Sequence, residues 1–372
     1  MDHKNLFEER SLLPGITLRN RIVMAPMTTW AGNDDGTVAD EEIAYYRRRV
    51  KEVGLVITGC THVQANGIGF TGEFAAHDDK FIPSLKRLAA AAKSGGAPAI
   101  LQIFHAGVKT LPALVSDIVA ASEVEGDDGP FAPALTPRAL EEFEILEVIQ
   151  AFSDATRRAI EAGFDGVELH GAHGFLIQNF LSPHSNRRTD RWGGSRENRM
   201  RFPLAVVDAV QKTIKRHSDR AFALGYRISL EEGRAGGLQI SDSLELIDRL
   251  IAQKIDYLHV SLYHAVEQKS ISSGIDSTIV SILRDRIDGR IPLIAAGGIT
   301  QADQAERALN MGATLIAIGK GLVMNPDWVQ RAKNREADLI SNALGADDVV
   351  PLEIPAKLWK VIETTPGWFN VI

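Results

Sequence analysis

Cysteine is almost absent: Cys60 is the only one in 372 residues, so neither an intramolecular disulfide nor an all-cysteine iron–sulfur cluster is available within one chain. Any redox chemistry must come from another cofactor. No run of about eighteen apolar residues exists to span a bilayer. Met1-Asp2-His3-Lys4-Asn5 leads into a polar segment and not into a signal-peptide core, so a cytoplasmic chain without a membrane partner is expected. Positive charge is in deficit as well. The 41 Lys and Arg face 48 Asp and Glu, and no basic block alternates with aromatics, so nucleic acid is not an expected partner. There is also no solenoid-length repeat and no low-complexity tract.

What is present is an alternation of short apolar runs with amphipathic helical stretches, eight times over. The strand candidates are 21–25, 55–58, 99–104, 166–169, 223–228, 257–260, 292–296 and 315–318, most of them bounded by Gly or Pro. Continuous apolar runs of this length suit strands buried on both faces. Helical periodicity is expected between them, for example over 145–162, 242–253 and 301–311. Strict alternation requires parallel strands joined by right-handed crossovers, and eight such units close a (β/α)8 TIM barrel. A doubly wound open sheet is the competitor, but it usually carries a glycine-rich turn after its first strand. Here that strand runs into Ala25-Pro26-Met27-Thr28-Thr29-Trp30, with no GxGxxG. The chain is therefore expected to form one domain over 1–372, with the barrel at about 20–335 and a C-terminal arm at about 345–372. That arm, with Trp359, Trp368 and Phe369, packs either on its own barrel or on a second copy, so a homo-oligomer stays open.

Two connections exceed what a barrel needs, 105–145 and 178–199, and long loops of this kind are commonly lids or binding loops. In the second, Ser195 suits a helix N-cap, and Arg187, Arg188 and Arg191 around Asp190 suit a local ion-pair network.

Chemistry concentrates at the predicted carboxyl ends of the strands. After strand four come His170-Gly171-Ala172-His173-Gly174, two imidazoles three residues apart, placed to hold a developing oxyanion. After strands seven and eight come Gly297-Gly298 and Gly319-Lys320-Gly321, between which barrels often bind a phosphate: glycine lets backbone N–H groups approach, and Lys320 adds a point charge. Gln102, Arg227 and Thr28 add an amide, a cation and a hydroxyl, a set that suits a flat heterocycle with carbonyls, ring N–H groups and an anionic reduced state. Other readings share some of these residues. A metal-assisted hydrolase would use His170 and His173 as ligands, though the first strand lacks the H-x-H pair common in barrel hydrolases; a Schiff-base lyase would rest on Lys320; a noncatalytic binding protein fits the motifs too.

Together, residues 20–28, Gln102 with His105-Ala106-Gly107, 170–174, Leu181 to Asp190, Trp192-Gly193-Gly194-Ser195 and the final glycine pairs resemble the old yellow enzyme family of FMN-dependent NAD(P)H oxidoreductases, from about Leu6 to Asn334. The resemblance implies noncovalent FMN at the carboxyl end of the barrel, reduced by NADH or NADPH and reoxidised by a small electron-poor acceptor such as an activated alkene, a quinone or a nitro compound. It implies that Ala25, Pro26, Met27 and Thr28 lie along the flavin, and that Cys60 touches its edge. By the same resemblance Gln102 addresses the pyrimidine ring and Arg227 the N1–O2 edge of the reduced flavin. Gly298, Gly319 and Lys320 would hold the phosphate, with lysine where many relatives use arginine, and His170 and His173 would grip the acceptor's oxygen. One departure stands out: where many of the family's ene-reductases carry the tyrosine that protonates carbon, this chain has Phe175, which has no proton to give. Tyr263, near the sixth strand, is the candidate substitute.

Overall fold

The computed structural model describes residues 3–372; Met1 and Asp2, the head of the segment read above for a leader, lie outside the described residues. Eight parallel strands close on themselves. They are β1 (Ile22–Met24), β2 (Leu55–Ile57), β3 (Ala99–Phe104), β4 (Gly166–Gly171), β5 (Ala223–Ile228), β6 (Tyr257–Ser261), β7 (Leu293–Ala296) and β8 (Leu315–Ile318). Each pairs with its neighbours in sequence, and β8 returns to β1 through Ile316 opposite Ile22. The fold is the expected (β/α)8 barrel, and all eight strands fall where the apolar runs place them.

Helices fill the crossovers, including Glu142–Ala162, Ile240–Ala252 and Ala302–Asn310. The first begins three residues ahead of the expected 145 because its start is set by capping and not by apolar spacing. The Glu144 carboxylate accepts the Glu141 backbone N–H at 2.7 Å, satisfying a donor that the helix leaves unpaired. Ser195 caps helix Arg196–His217 as expected, its hydroxyl accepting from the Asn198 backbone N–H. The arginines around Asp190 divide their work: Arg188 pairs with Asp190 and also donates to the carbonyls of Ala121 and Leu140, while Arg191 reaches Glu142. That network ties the loop after β4 to the long 105–141 segment.

Period-two alternation decides which residues see the barrel interior. Leu224, Tyr226 and Ile228 of β5, like Val167 and Leu169 of β4, belong to the outer core beneath the helices, whereas Ile100, Ala223, Tyr257, Ile294 and Leu315 belong to the inner one. A hairpin of Arg10–Leu13 and Ile16–Leu18 plugs the amino end of the barrel with Leu12, Ile16 and Leu18. The opposite end is left for polar residues. Among the described residues no helix is long and apolar enough to cross a membrane.

The loop after β1 is pinned from outside. Thr29 donates to Glu42 Oε2 at 2.5 Å from helix Asp40–Arg49, and the other carboxylate oxygen is buried without a partner among the described residues. Burial pushes the Glu42 carboxyl up to about 7, against smaller downward pulls from Thr29 and Arg49. The folded chain thus holds this proton up to about 7, whereas an unfolded chain releases it near 4.5. In that window the folded state binds more protons, so stability falls as pH rises, by about 3 kcal/mol across it. Glu42→Gln is expected to remove that slope. Urea denaturation at about pH 5 and about pH 8 reads it, and an unchanged slope in the variant would assign the titration to another group.

Candidate active site

The carboxyl ends of the strands bring the expected residues to one crevice. On β4, positions 166, 168 and 170 share the inward face, so the strand delivers His170 upward with Glu168 directly beneath it. The chain then turns through His173, which adopts φ 60°, a left-handed conformation that histidine tolerates better than most residues. The turn folds the second imidazole back onto the first, with ring centroids 4.9 Å apart and nearly perpendicular. His170 Nδ1 accepts the Ala172 backbone N–H, so the neutral ring carries its proton on Nε2. His173 Nε2 meets the Ser261 hydroxyl at 2.7 Å, and Ser261 also accepts from Arg227 at 3.0 Å. Burial, with help from Arg227, holds both imidazoles well below their usual range; His173 also feels Lys109, and His170 feels His173. Both are neutral donors at physiological pH.

Below them lies a polar layer. Gln102 and Arg227 are buried; Gln102 donates to Glu168 at 2.7 Å, and Arg227 Nε has no partner among the described residues. Burial lowers the Arg227 pKa and Glu168 pushes it back, leaving a cation at the crevice floor. Thr28 Oγ1 lies 3.4 Å from Cys60 Sγ, which joins the β1 and β2 loops at the same edge. The Cys60 thiol is buried and pushed well up, so it sits there as an unreactive group.

The β7 and β8 loops supply a cradle. Gly298 (φ 61°) is open to solvent, and at Gly319 a Cβ would stand 3.0 Å from Met27 Sδ, so glycine lets the β8 loop close on β1. Lys320 is half-buried with its ammonium on the Trp368 carbonyl at 2.8 Å. The C-terminal arm therefore docks on its own barrel, and it brings an aromatic wall with it. Trp30 contacts Phe70, Phe131 and Trp368, and Phe70 in turn contacts Phe175. Phe131 comes from the long segment after β3, so that connection and the arm converge on one crevice mouth with the loops after β1 and β2.

Phe175 packs against His170, with ring centroids 4.8 Å apart, and against Phe104 at 4.9 Å. It occupies the position where a proton donor was looked for. Tyr263, the candidate substitute, is 85% exposed, whereas His170 is buried. His170 and His173 also lack the company a metal needs, since no group of three His, Cys, Asp or Glu among the described residues is arranged to hold an ion. Five residues escaped the sequence reading. Glu168 and His259 lie inside predicted strands, Ser261 lies one residue beyond the sixth, Lys109 stands beside Gly174, and Trp30 turns at φ 54°. A charged residue two positions before His170 was the available signal for Glu168.

Comparisons with known proteins identify the family. The chain matches the profile of the NADH:flavin oxidoreductase / NADH oxidase family over residues 6–338. It is 42% identical to a probable NADH-dependent flavin oxidoreductase, YqiG, of Bacillus subtilis (strain 168), over 98% of each chain. It is 38% identical to the NADH:fumarate oxidoreductase of Klebsiella pneumoniae (strain 342), covering 96% of this chain but only 39% of that protein. Among solved structures, morphinone reductase superposes with a TM-score of 0.76 at 30% identity, covering 91% of each chain. The chain that folds into this barrel is thus an NAD(P)H:flavin oxidoreductase and a member of the FMN-dependent old yellow enzyme family.

Proposed function

We propose that this enzyme takes reducing equivalents from NADH and passes them to small electron-poor acceptors, with quinones and nitro compounds served faster than enones. The Bacillus subtilis relative is named for NADH, and that preference is carried over here as part of the proposal. The observation that carries the acceptor preference is Phe175 packed 4.8 Å from His170, an apolar ring where carbon protonation needs an acid.

The residues present fit FMN. Arg227 Nε is a buried donor with no partner among the described residues, Gln102 belongs to the same polar layer, and the β7–β8 cradle offers backbone at Gly298 and Gly319 with the Lys320 cation half-buried beside it. FMN bound there would supply the hydride-transfer chemistry between a nicotinamide and an acceptor. The chain's own part is positioning and charge. Arg227 stabilises negative charge at the crevice floor, and Thr28 offers a hydroxyl at the β1 edge. Ala25, Pro26 and Met27 line that edge, with Cys60 across from Thr28. Gly298, Gly319 and Lys320 take the phosphate, with Lys320 exchanging the Trp368 carbonyl for it. His170 and His173 donate to the acceptor's oxygen and draw electron density from it. Trp30, Phe131 and Trp368 keep bulk water from the mouth, and Lys109 adds positive charge beside His173.

An anaerobic stopped-flow comparison tests this reading. The purified protein, reduced with NADH, is mixed with menadione or with 2-cyclohexenone. Reoxidation by the quinone is expected to be faster by about a hundredfold or more, the usual scale of a general acid's contribution. Equal rates, or a faster enone, would overturn the acceptor assignment.

A further inference from the structure

Beneath the histidines lies a buried charge that the mechanism above does not use. Glu168 and His259 are wholly inaccessible to solvent, and an ionised carboxylate at such depth must be paired and hydrogen-bonded to be tolerated. Its partners are specific. Glu168 Oε1 accepts from Gln102 Nε2 at 2.7 Å, and Oε2 pairs with His259 Nδ1 at 2.9 Å. Glu168 is on β4 and His259 on β6, so the contact passes over β5. The inward position between them on β5 is Gly225, where a Cβ would stand 2.0 Å from the Tyr257 ring, so that ring fills the space over β5. Arg227 is the next inward residue on β5, in register with both His170 and His259.

Two consequences follow from elementary chemistry. A carboxylate only accepts hydrogen bonds, so Gln102 must turn its amide nitrogen toward Glu168 and its carbonyl oxygen away from it. The same anion lies close enough to Arg227 to act on it electrostatically. We propose that Glu168, steadied by His259, is a positioning residue for the flavin's pyrimidine edge: it orients the Gln102 amide and offsets the charge of Arg227, and thereby lowers the site's preference for the reduced cofactor. The proposal rests on the reading that Gln102 and Arg227 face that edge.

Burial alone would push the Glu168 carboxyl up, yet His259, Arg227 and Gln102 together hold it below the usual carboxylate range, which keeps the charge in place at physiological pH. Burial holds His259 below its own usual range despite the pull of Glu168, so the pair carries a net negative charge. The phenol of Tyr257 is the other titratable group near Glu168, and burial keeps it protonated.

The test is the midpoint potential of the FMN-loaded protein. Glu168→Gln keeps the shape and removes the charge. The preference for reduced over oxidised flavin is expected to rise about tenfold, an upward shift of about 30 mV for a two-electron couple. Should that chain fail to fold, Glu168→Leu combined with His259→Leu removes the same charge as a buried pair, a replacement that is often neutral or stabilising, and the same upward shift is expected. A folded, flavin-loaded variant with an unmoved or lowered potential would overturn the proposal, even if its thermal stability fell. Failure of the placement of Gln102 and Arg227 is read separately: Arg227→Met would then leave the potential of the bound flavin unchanged.

Discussion

Replacing His170 and His173 together by alanine is expected to weaken binding of a phenolate, a mimic of the acceptor's oxyanion, by about a hundredfold at least. Each neutral imidazole offers one N–H, and a hydrogen bond to a charged group contributes about 1.5–3 kcal/mol, with 1.4 kcal/mol corresponding to tenfold. Flavin content and the rate of reduction by NADH should hold nearly constant, because the histidines sit above the Gln102–Arg227 floor and not in it. Alanine at position 173 must adopt φ 60°, a conformation that costs about 1–2 kcal/mol. That loss shows in thermal unfolding and is separable from ligand affinity. Titrating the flavin's visible band with p-hydroxybenzaldehyde decides the matter: full affinity in the double variant would remove the oxyanion role from the pair.

Much of this molecule is readable in its sequence because parallel strands covered on both faces announce themselves as apolar runs. The polar residues that interrupt those runs are informative for the same reason. Gln102, Arg227 and His170 each fall on the inward face near a strand's carboxyl end, where a polar group has no packing purpose unless it meets a ligand or another polar group. Glu168 and His259 interrupt their strands in the same way, yet their partnership was not readable. It depends on a register that brings β4 and β6 together across β5. Local periodicity carries no information about that.

The ends of the long connections were hidden for a different reason. Aromatic residues in an irregular arm bury apolar area wherever a complementary surface exists, so Trp368 and Phe369 alone do not say which barrel receives them. Only the folded chain shows Trp368 against Trp30 and Phe131, with its carbonyl on Lys320. That carbonyl also qualifies the reading of Lys320 as a dedicated phosphate ligand. The ammonium is held by the arm, so a phosphate taken there, as proposed, would compete with the Trp368 carbonyl for one cation.

The position of Phe175 leads to the other large expected effect. Relatives that reduce enones are expected from the family resemblance to carry tyrosine here, and the Phe175 ring is in place for it, stacked edge-on to His170 at 4.8 Å and close to His173 at 6.2 Å. Phe175→Tyr adds a hydroxyl beside the oxygen-binding pair without changing the shape of the ring. The rate constant for reoxidation by 2-cyclohexenone is expected to rise by about a hundredfold or more, within the usual range of a general acid. Reduction by NADH should barely respond, since hydride transfer from the nicotinamide involves no proton at this position, and reoxidation by menadione should likewise stay near its wild-type rate. The ring is only 5% exposed, and a buried phenol without a hydrogen-bond partner costs about 1–3 kcal/mol, so a modest loss of thermal stability is expected alongside the gain. The pattern across the three rate constants is what discriminates. A uniform change in all three would point to a general disturbance of the crevice, whereas a wild-type protein already fast with the enone, and no faster with tyrosine, would show that solvent or another group delivers the proton and that the apolar ring at 175 imposes no preference among acceptors.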